Sequence, residues 1–354
     1  MEMTRFWGSR MPVTEHIGEN VAAMLLGMAL ATTAHAETFR LPRNGDNVVG
    51  STNLTTLSAN DSVIDLYMLY DQGYDEMRMA NPKVNPFAMI KDGTELLIPS
   101  QYVLPDTPHE GIVINVAEMR LYYYPKPKKN EPQVVITHPI SIGRENWTTP
   151  YGVTKVIAKI KDPAWVPPKS IREEHLREYD EVLPAVVKPG PDNPMGQFAL
   201  KLGIPGYYIH GTDEEKEEGI GMRVTHGCIR LYPKDIATLF AQVDKGTPVR
   251  IVNQPYKVGW LEGGLYLEAH PRLEEDPAAR ADQYEQAVDT LTATVRKRRV
   301  EINWIQVRSA IDTRNGVPVM IGRSVASEPD PSLKADVQKT PPSSNQAVQT
   351  GAVW

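Results

Sequence analysis

Between residues 111 and 253 the sequence breaks into short runs rich in Val, Ile, Thr and Tyr, each closed by a turn signal. This pattern points to a mainly β fold, an all-β sandwich or barrel-like core. Residues 111–116 and 119–124 flank Ala117-Glu118 and read as a hairpin. Further β-rich runs lie at 134–142, 155–160, 198–202, 207–210 and 248–253. Two helices interrupt them. Ser170-Ile171-Arg172-Glu173 has the form of a capping box, which predicts a helix running to about Tyr179. Pro233 suits a first helical turn, and Ile236, Leu239, Phe240 and Val243 form one apolar stripe. Residues 183–196 (LPAVVKPGPDNPMG) are too rich in Pro and Gly for regular structure, and a long loop in a compact domain is often functional.

The flanks differ in character. Residues 21–31 (VAAMLLGMALA) followed by Ala34-His35-Ala36 predict a signal peptide over residues 1–36 and hence an exported chain. Glu2, Glu15 and Glu19 beside Arg5 and Arg10 are unusual there, and a start assigned too far upstream would explain them. The run falls short of the ~18 apolar residues of a membrane span, so no stable span is expected after cleavage. Residues 37–55 look extended and weakly ordered. Residues 56–99 then read as two short helical stretches, with Leu66, Leu69 and Tyr70 at amphipathic spacing and Asn81-Pro82 as a stop. Asn60-Asp61-Ser62, Ala80-Asn81-Pro82 and the closing Leu96-Leu97-Ile98-Pro99 resemble a LysM module, a small α/β glycan-binding fold, here assigned residues 37–104. A packing adaptor for the next domain is the equal alternative. Beyond the β-rich region, residues 254–325 predict an extension of a hairpin turning at Glu262-Gly263-Gly264 and a helix carrying Tyr284, Val288, Leu291 and Val295. Residues 326–354, rich in Ser, Pro and Gln, predict a disordered tail.

A net charge of −6 and a pI near 5.8 argue against nucleic acid as a partner. Arg296-Lys297-Arg298-Arg299 is short and reads as the charge complement of a helix C-terminus. The single cysteine excludes an intramolecular disulfide and leaves an unpaired thiol that needs a reason in an exported chain.

That cysteine sits in the informative stretch, His210-Gly211-Thr212, then a segment with a Gly219-Ile220-Gly221 turn, then Thr225-His226-Gly227-Cys228-Ile229-Arg230. A thiol becomes a nucleophile near neutral pH when an imidazole or a positive field supports its thiolate. His210 ends a predicted strand that can lie beside the segment carrying Cys228, and His226 is two residues from it. Gly227 leaves room for a carbonyl, and its N–H with that of Cys228 can form an oxyanion hole. Arg230 supplies positive charge for a carboxylate or oxyanion. The same residues suit a zinc site with Asp213 or water as fourth ligand, although no Cys-x-x-Cys or His-x-x-x-His spacing is present. An inert buried cysteine is the bland alternative; structural cysteines prefer apolar surroundings.

His210, fourteen residues, then Thr225-His226-Gly227-Cys228-Ile229-Arg230 resembles the signature of the L,D-transpeptidase catalytic domain of YkuD type. The similarity covers residues 110–253, including Gly143, Thr149-Pro150 and the segment from Gly190 to Gly196. With the LysM-like module and the extension after Asn253, the chain resembles the periplasmic subgroup that attaches Braun lipoprotein to peptidoglycan. The resemblance implies a periplasmic acyltransferase with no metal or organic cofactor. Cys228 attacks the position-three diaminopimelate carbonyl of a tetrapeptide stem, and D-alanine leaves. His210 is the base, the Gly211 carbonyl orients its ring, and backbone N–H groups at Gly227 and Cys228 hold the oxyanion. The acyl group passes to a lipoprotein C-terminal lysine, a second diaminopimelate or water, the last being an L,D-carboxypeptidase. Thr225, His226, Arg230 and Asn193 are expected on the substrate side, and carbapenems are expected to acylate Cys228. A non-catalytic peptidoglycan-binding protein is the alternative from another class. Elsewhere, His138 reads as a sheet residue, His109, His175 and His270 as surface groups, and Trp147 and Trp165 as packing under the rim of the site.

Overall fold

The computed structural model describes residues 37–277, 282–296 and 298–325; the expected signal peptide and C-terminal tail lie outside them. The chain opens with strands β1 (Glu37–Arg40), β2 (Val48–Gly50) and β3 (Asn53–Leu57), helices α1 (Val63–Leu69) and α2 (Tyr74–Ala80), and strands β4 (Thr94–Ile98) and β5 (Gln101–Val103). Strands β3 and β4 pair antiparallel around the two helices, and β2 pairs with β5. Ser62 caps α1, its Oγ accepting from the Asp65 N–H at 3.2 Å. Asn81 ends α2 and staples it to β4 through its amide, bonded to the Leu97 N–H and C=O at 2.7 and 2.8 Å. The buried stripe of α1 is Val63, Ile64 and Tyr67 rather than the one centred on Leu69, which is half exposed. Residues 37–55 are also more structured than their composition indicates, because β1 pairs antiparallel with residues 134–137 and extends the main sheet.

The central region runs β6 (Gly111–Asn115), β7 (Arg120–Tyr124), β8 (Val134–Pro139), β9 (Ile142–Gly143), β10 (Gly152–Lys161), α3 (Lys169–Tyr179), β11 (Phe198–Leu202), β12 (Tyr208–His210), β13 (Arg223–Thr225), β14 (Ile229–Arg230), α4 (Pro233–Gln242) and β15 (Pro248–Val252). Nine strands line up in the order β1-β8-β7-β6-β15-β10-β11-β12-β14, and β9 pairs with β13 beside them. Strand β10 makes the corner. Its first half, Gly152 to Lys155, pairs with β15, and from Val156 onward it pairs with β11 across a bulge. A strand that changes partner at a bulge folds one sheet into two packed layers. The core between them gathers Ile112, Ile114, Leu121, Leu200, Ile209, Ile229 and Val249, closed by Ile236 and Leu239 of α4. Pro233 stands at the first position of α4, as its sequence predicts. Helix α3 starts two residues earlier than its capping box indicates: Pro168 is the N-cap and Ser170 lies inside the first turn.

The C-terminal part holds β16 (Tyr256–Leu261), β17 (Gly264–Ala269), α5 (Gln283–Val295), β18 (Val300–Ile302), α6 (Trp304–Thr313) and β19 (Val319–Ser324). The hairpin turns on Glu262 and Gly263, both at positive φ. Beyond the expected hairpin and helix, β19 and β18 extend the sheet to four strands and α6 packs on it through Val307 and Ile311.

A buried charge network ties this sheet to the rest. Lys257 Nζ lies 2.6 Å from Glu118 Oε2 and 2.7 Å from Glu268 Oε1. Glu268 also accepts from the Val103 N–H and from His270, each at 2.6 Å, so His270 is buried rather than the surface group expected. His109 is half-buried against the Tyr124 ring, and His175 is partly exposed in the middle of α3. Removing one partner from such a network strands the others in low dielectric. Lys257→Met is therefore expected to cost about 3–5 kcal/mol in urea denaturation. A loss under about 1 kcal/mol, the size of an exposed pair, would contradict this account.

Candidate active site

Strands β12 and β14 run parallel, with Ile209 opposite Ile229 and His210 opposite Arg230. Cys228 immediately precedes β14, opposite Tyr208. Side chains two residues apart share a strand face, so Tyr208, His210, Cys228 and Arg230 point to one side. All four line a cavity of about 430 Å³ together with Trp147, Trp165, Met195, Tyr207, Thr225 and His226. A larger cleft of about 1020 Å³ beside α2 is lined by Tyr74, Arg78, Arg272 and Arg314 and carries no Cys, Ser or His. We therefore place the chemistry at the smaller cavity.

The cysteine turn is held by two threonines. Thr225 Oγ1 accepts from the Gly227 N–H at 3.1 Å and donates to the Cys228 carbonyl at 2.6 Å. Thr149 Oγ1 donates to the Gly227 carbonyl at 2.9 Å and accepts from the Gly143 N–H at 3.0 Å. Thr225 thus fixes the turn from within the cavity lining, and the Gly227 N–H is already engaged as a donor. Gly227 has φ +99°, and a Cβ there would come within 2.8 Å of Tyr207 Cε1 and 3.3 Å of the Thr148 carbonyl. Gly227→Ala is expected to displace the thiol and lower kcat/KM at least ~100-fold, since misplacing a reacting group by about 1 Å has that effect. Steady-state kinetics beside a thermal melt test it; activity within about threefold of wild type would show that the turn tolerates a side chain.

His210 is buried, and its Nδ1 lies 2.6 Å from the Gly211 carbonyl. A carbonyl only accepts, so Nδ1 carries the proton and Nε2 keeps its lone pair. Burial, reinforced by the Arg230 guanidinium and opposed by the Gly211 bond, pushes the imidazole down to about 3. Burial raises the Cys228 thiol, against the Tyr208 backbone N–H and Arg230, which favour the thiolate. The thiol donates weakly to the Gly206 carbonyl at 3.7 Å. At neutral pH the pair therefore rests as thiol and neutral imidazole.

The remaining expected residues divide. Arg230 faces the cavity, its charge disfavoured by burial and supported by Asp213 and Cys228. Asp213 itself pairs with Lys216 at 2.6 Å. His226 Nε2 lies 2.8 Å from Glu174 Oε2 and 2.9 Å from Arg144 Nη2, Arg144 also binds Glu174, and Trp147 packs edge-on against the imidazole ring at 4.9 Å. Glu174 belongs to α3, so this cluster anchors α3 over the cavity. Sequence reasoning missed Glu174 and Arg144, which lie 52 and 82 residues from His226 with no local pattern linking them. Asn193 staples the loop. Its Nδ2 donates to the carbonyls of Pro163, Val187 and Lys188 at 2.9–3.3 Å, and its Oδ1 accepts from the Met195 N–H at 2.9 Å.

Residues 109–251 match the model of the L,D-transpeptidase catalytic domain, YkuD. The Escherichia coli K12 protein named probable L,D-transpeptidase YbiS is 41% identical over 85% of this chain and 97% of its own. This chain belongs to the L,D-transpeptidase family. It is also similar to two further E. coli K12 proteins: probable L,D-transpeptidase YcfS, 39% identical over 84% of this chain and 92% of that one, and probable L,D-transpeptidase ErfK/SrfK, 39% identical over 84% and 96%. The transpeptidase is thus an enzyme with a mainly β catalytic domain, and the purely non-catalytic reading falls away. Among its described residues, no helix is long and apolar enough to cross a membrane.

Proposed function

We propose that this L,D-transpeptidase is a periplasmic enzyme that works on peptidoglycan through a Cys228 thioester. His210 Nε2 takes the thiol proton as sulfur attacks the carbonyl of the position-three diaminopimelate of a tetrapeptide stem. The Cys228 backbone N–H receives the oxyanion, while the Gly227 amide stays with Thr225. His210 returns the proton to the amine of D-alanine, which leaves, and a thioester remains. An incoming amine then attacks the thioester, His210 takes its proton, and the thiol is regenerated as an amide forms. Arg230, the one cationic side chain of the cavity lining, meets a stem carboxylate.

The observation that carries this reading is the shared face of β12 and β14, with the His210 tautomer set by Gly211 so that Nε2 is free for the thiol. We further assign residues 1–36 to a signal peptide, 37–104 to a LysM-like module, 110–253 to the catalytic domain, 254–325 to an extension and 326–354 to a tail. The acceptor is a lipoprotein C-terminal lysine, a second diaminopimelate or water, and the product distinguishes them. The test is muropeptide analysis after incubating the enzyme with disaccharide-tetrapeptide, alone and with a lysine-terminated peptide. A new amide to the peptide lysine supports the lipoprotein acceptor, and a cross-linked dimer transfers the role to diaminopimelate. Tripeptide alone in both reactions would replace transfer by L,D-carboxypeptidase action, and unchanged tetrapeptide would overturn the substrate.

A further inference from the structure

Three side chains outside the active site meet in the core with their polar atoms unmatched. Asp71 follows α1, His138 lies in β8 and Asp235 stands in the first turn of α4; each is at most 1% exposed. One donor atom from each lies within 4.8 Å of the others. His138 Nδ1 is 3.7 Å from Asp71 Oδ2 and 3.6 Å from Asp235 Oδ1. Those separations exceed an N–H···O hydrogen bond, which spans about 2.7–3.2 Å. Both Asp71 oxygens, both His138 nitrogens and Asp235 Oδ2 have no hydrogen-bond partner among the described residues. Buried polar groups are rarely left so.

We propose that Asp71, His138 and Asp235 bind a divalent transition-metal cation, zinc being the best fit, in a structural site separate from the catalytic cysteine. Around a tetrahedral zinc with bonds of about 2.0–2.2 Å, ligand atoms stand roughly 3.3–3.6 Å apart, close to the spacing found here. Two carboxylates and a neutral imidazole carry two negative charges, which a divalent cation cancels. The nearby cations are otherwise committed. Lys234 Nζ, 4.0 Å from Asp71 Oδ1, donates to the Met68 carbonyl at 2.5 Å, and Arg120 pairs with Glu76 at 2.6 Å. Arg120 also donates to the Asp71 carbonyl at 3.2 Å, holding Asp71 at φ +54°, so this ligand is positioned in advance.

The three ligands come from three separate elements: the N-terminal helical unit, the main sheet and α4. A cation here clamps them together. Ile236, next to Asp235, lies 3.1 Å from where a Gly211 Cβ would be, and Gly211 carries the carbonyl that orients His210. The clamp therefore sits behind the catalytic base without touching the reaction.

The competing arrangement is a shared proton. Burial lowers the His138 imidazole, but Asp235 and Asp71 outweigh it and raise it to about 9. The experiment is zinc titration of the mature Cys228→Ala protein, which lacks the thiol ligand, with metal content read by mass spectrometry and stability by thermal melt. One zinc per chain is expected, with the melting temperature raised ~5 °C at a hundredfold excess over Kd. Asp235→Asn in the same background should weaken zinc binding ~100-fold or more. No bound zinc, or equal affinity in Asp235→Asn, overturns the proposal and leaves the shared proton. Should Asp235→Asn not fold, the zinc absorption edge of the Cys228→Ala protein decides. One imidazole with oxygen ligands supports the site, and two or more imidazoles overturn it.

Discussion

A Cys228→Ala enzyme is expected to lose at least ~10⁴-fold in kcat and still fold. The activity loss follows from the reaction proposed: without the thiol there is no covalent intermediate, and residual rate comes only from binding and the remaining dipoles. Stability should change by no more than about 1 kcal/mol, because the sulfur's hydrogen bonds are weak, the one to the Gly206 carbonyl spanning 3.7 Å, and it borders an open cavity. The main-chain turn is held by Thr225 and Thr149, which the substitution leaves in place. D-alanine release from disaccharide-tetrapeptide, beside urea denaturation, checks both halves. A variant that keeps more than about 1% of the rate would remove Cys228 from the reaction.

His210→Asn is expected to lose ~10³–10⁴-fold in kcat/KM, the usual contribution of a general base that also serves as general acid. It should also change how stability responds to acid. The folded-state imidazole is held at about 3 by burial first and Arg230 second, against an ordinary value of 6.5. Above pH 6.5 the ring is neutral in folded and unfolded chains and contributes nothing to the pH dependence. Between 6.5 and 3 only the unfolded chain takes the proton, so wild-type stability falls with acid by up to about 1.4 kcal/mol per pH unit. Asparagine has no such proton. The wild-type advantage over His210→Asn should therefore shrink by about 2 kcal/mol between pH 7 and 5 in urea denaturation. A difference that stays constant over that range would mean that His210 titrates normally in the folded enzyme.

The parts of the fold readable from sequence were those fixed by neighbours in the chain. Pro233 with the Ile236, Leu239 and Val243 stripe gave α4, and Glu262-Gly263 gave the β16–β17 turn. Within the site, the strand ending at His210 was enough to suggest that it lies beside the segment carrying Cys228, as β12 does beside β14. What escaped depends on distant partners. Strand β10 looks uniform in sequence, yet it changes partner at Val156, a bend set by β15 and β11 on either side. His270 reads as a surface residue because nothing nearby in the chain foretells its burial with Lys257 and Glu118 around Glu268. Asn193 and Thr225 were assigned to substrate because polar groups in a loop or motif invite that reading. Their hydrogen bonds to the main chain that holds Met195 and Cys228 in place come from partners the local pattern does not show. His138 was correctly read as a sheet residue, but the two aspartates facing it come from segments 67 and 97 residues away.

An acyl-thioester at Cys228 is the central step of the proposed reaction, and intact-mass spectrometry detects it without relying on product. The wild-type enzyme is mixed with disaccharide-tetrapeptide and quenched in acid within the first turnover, beside Cys228→Ala. The account predicts a mass increase equal to the substrate less D-alanine, mapped to Cys228 by peptide sequencing and absent from the variant. An adduct that persists in Cys228→Ala, or turnover with no adduct at any quench time, would contradict it.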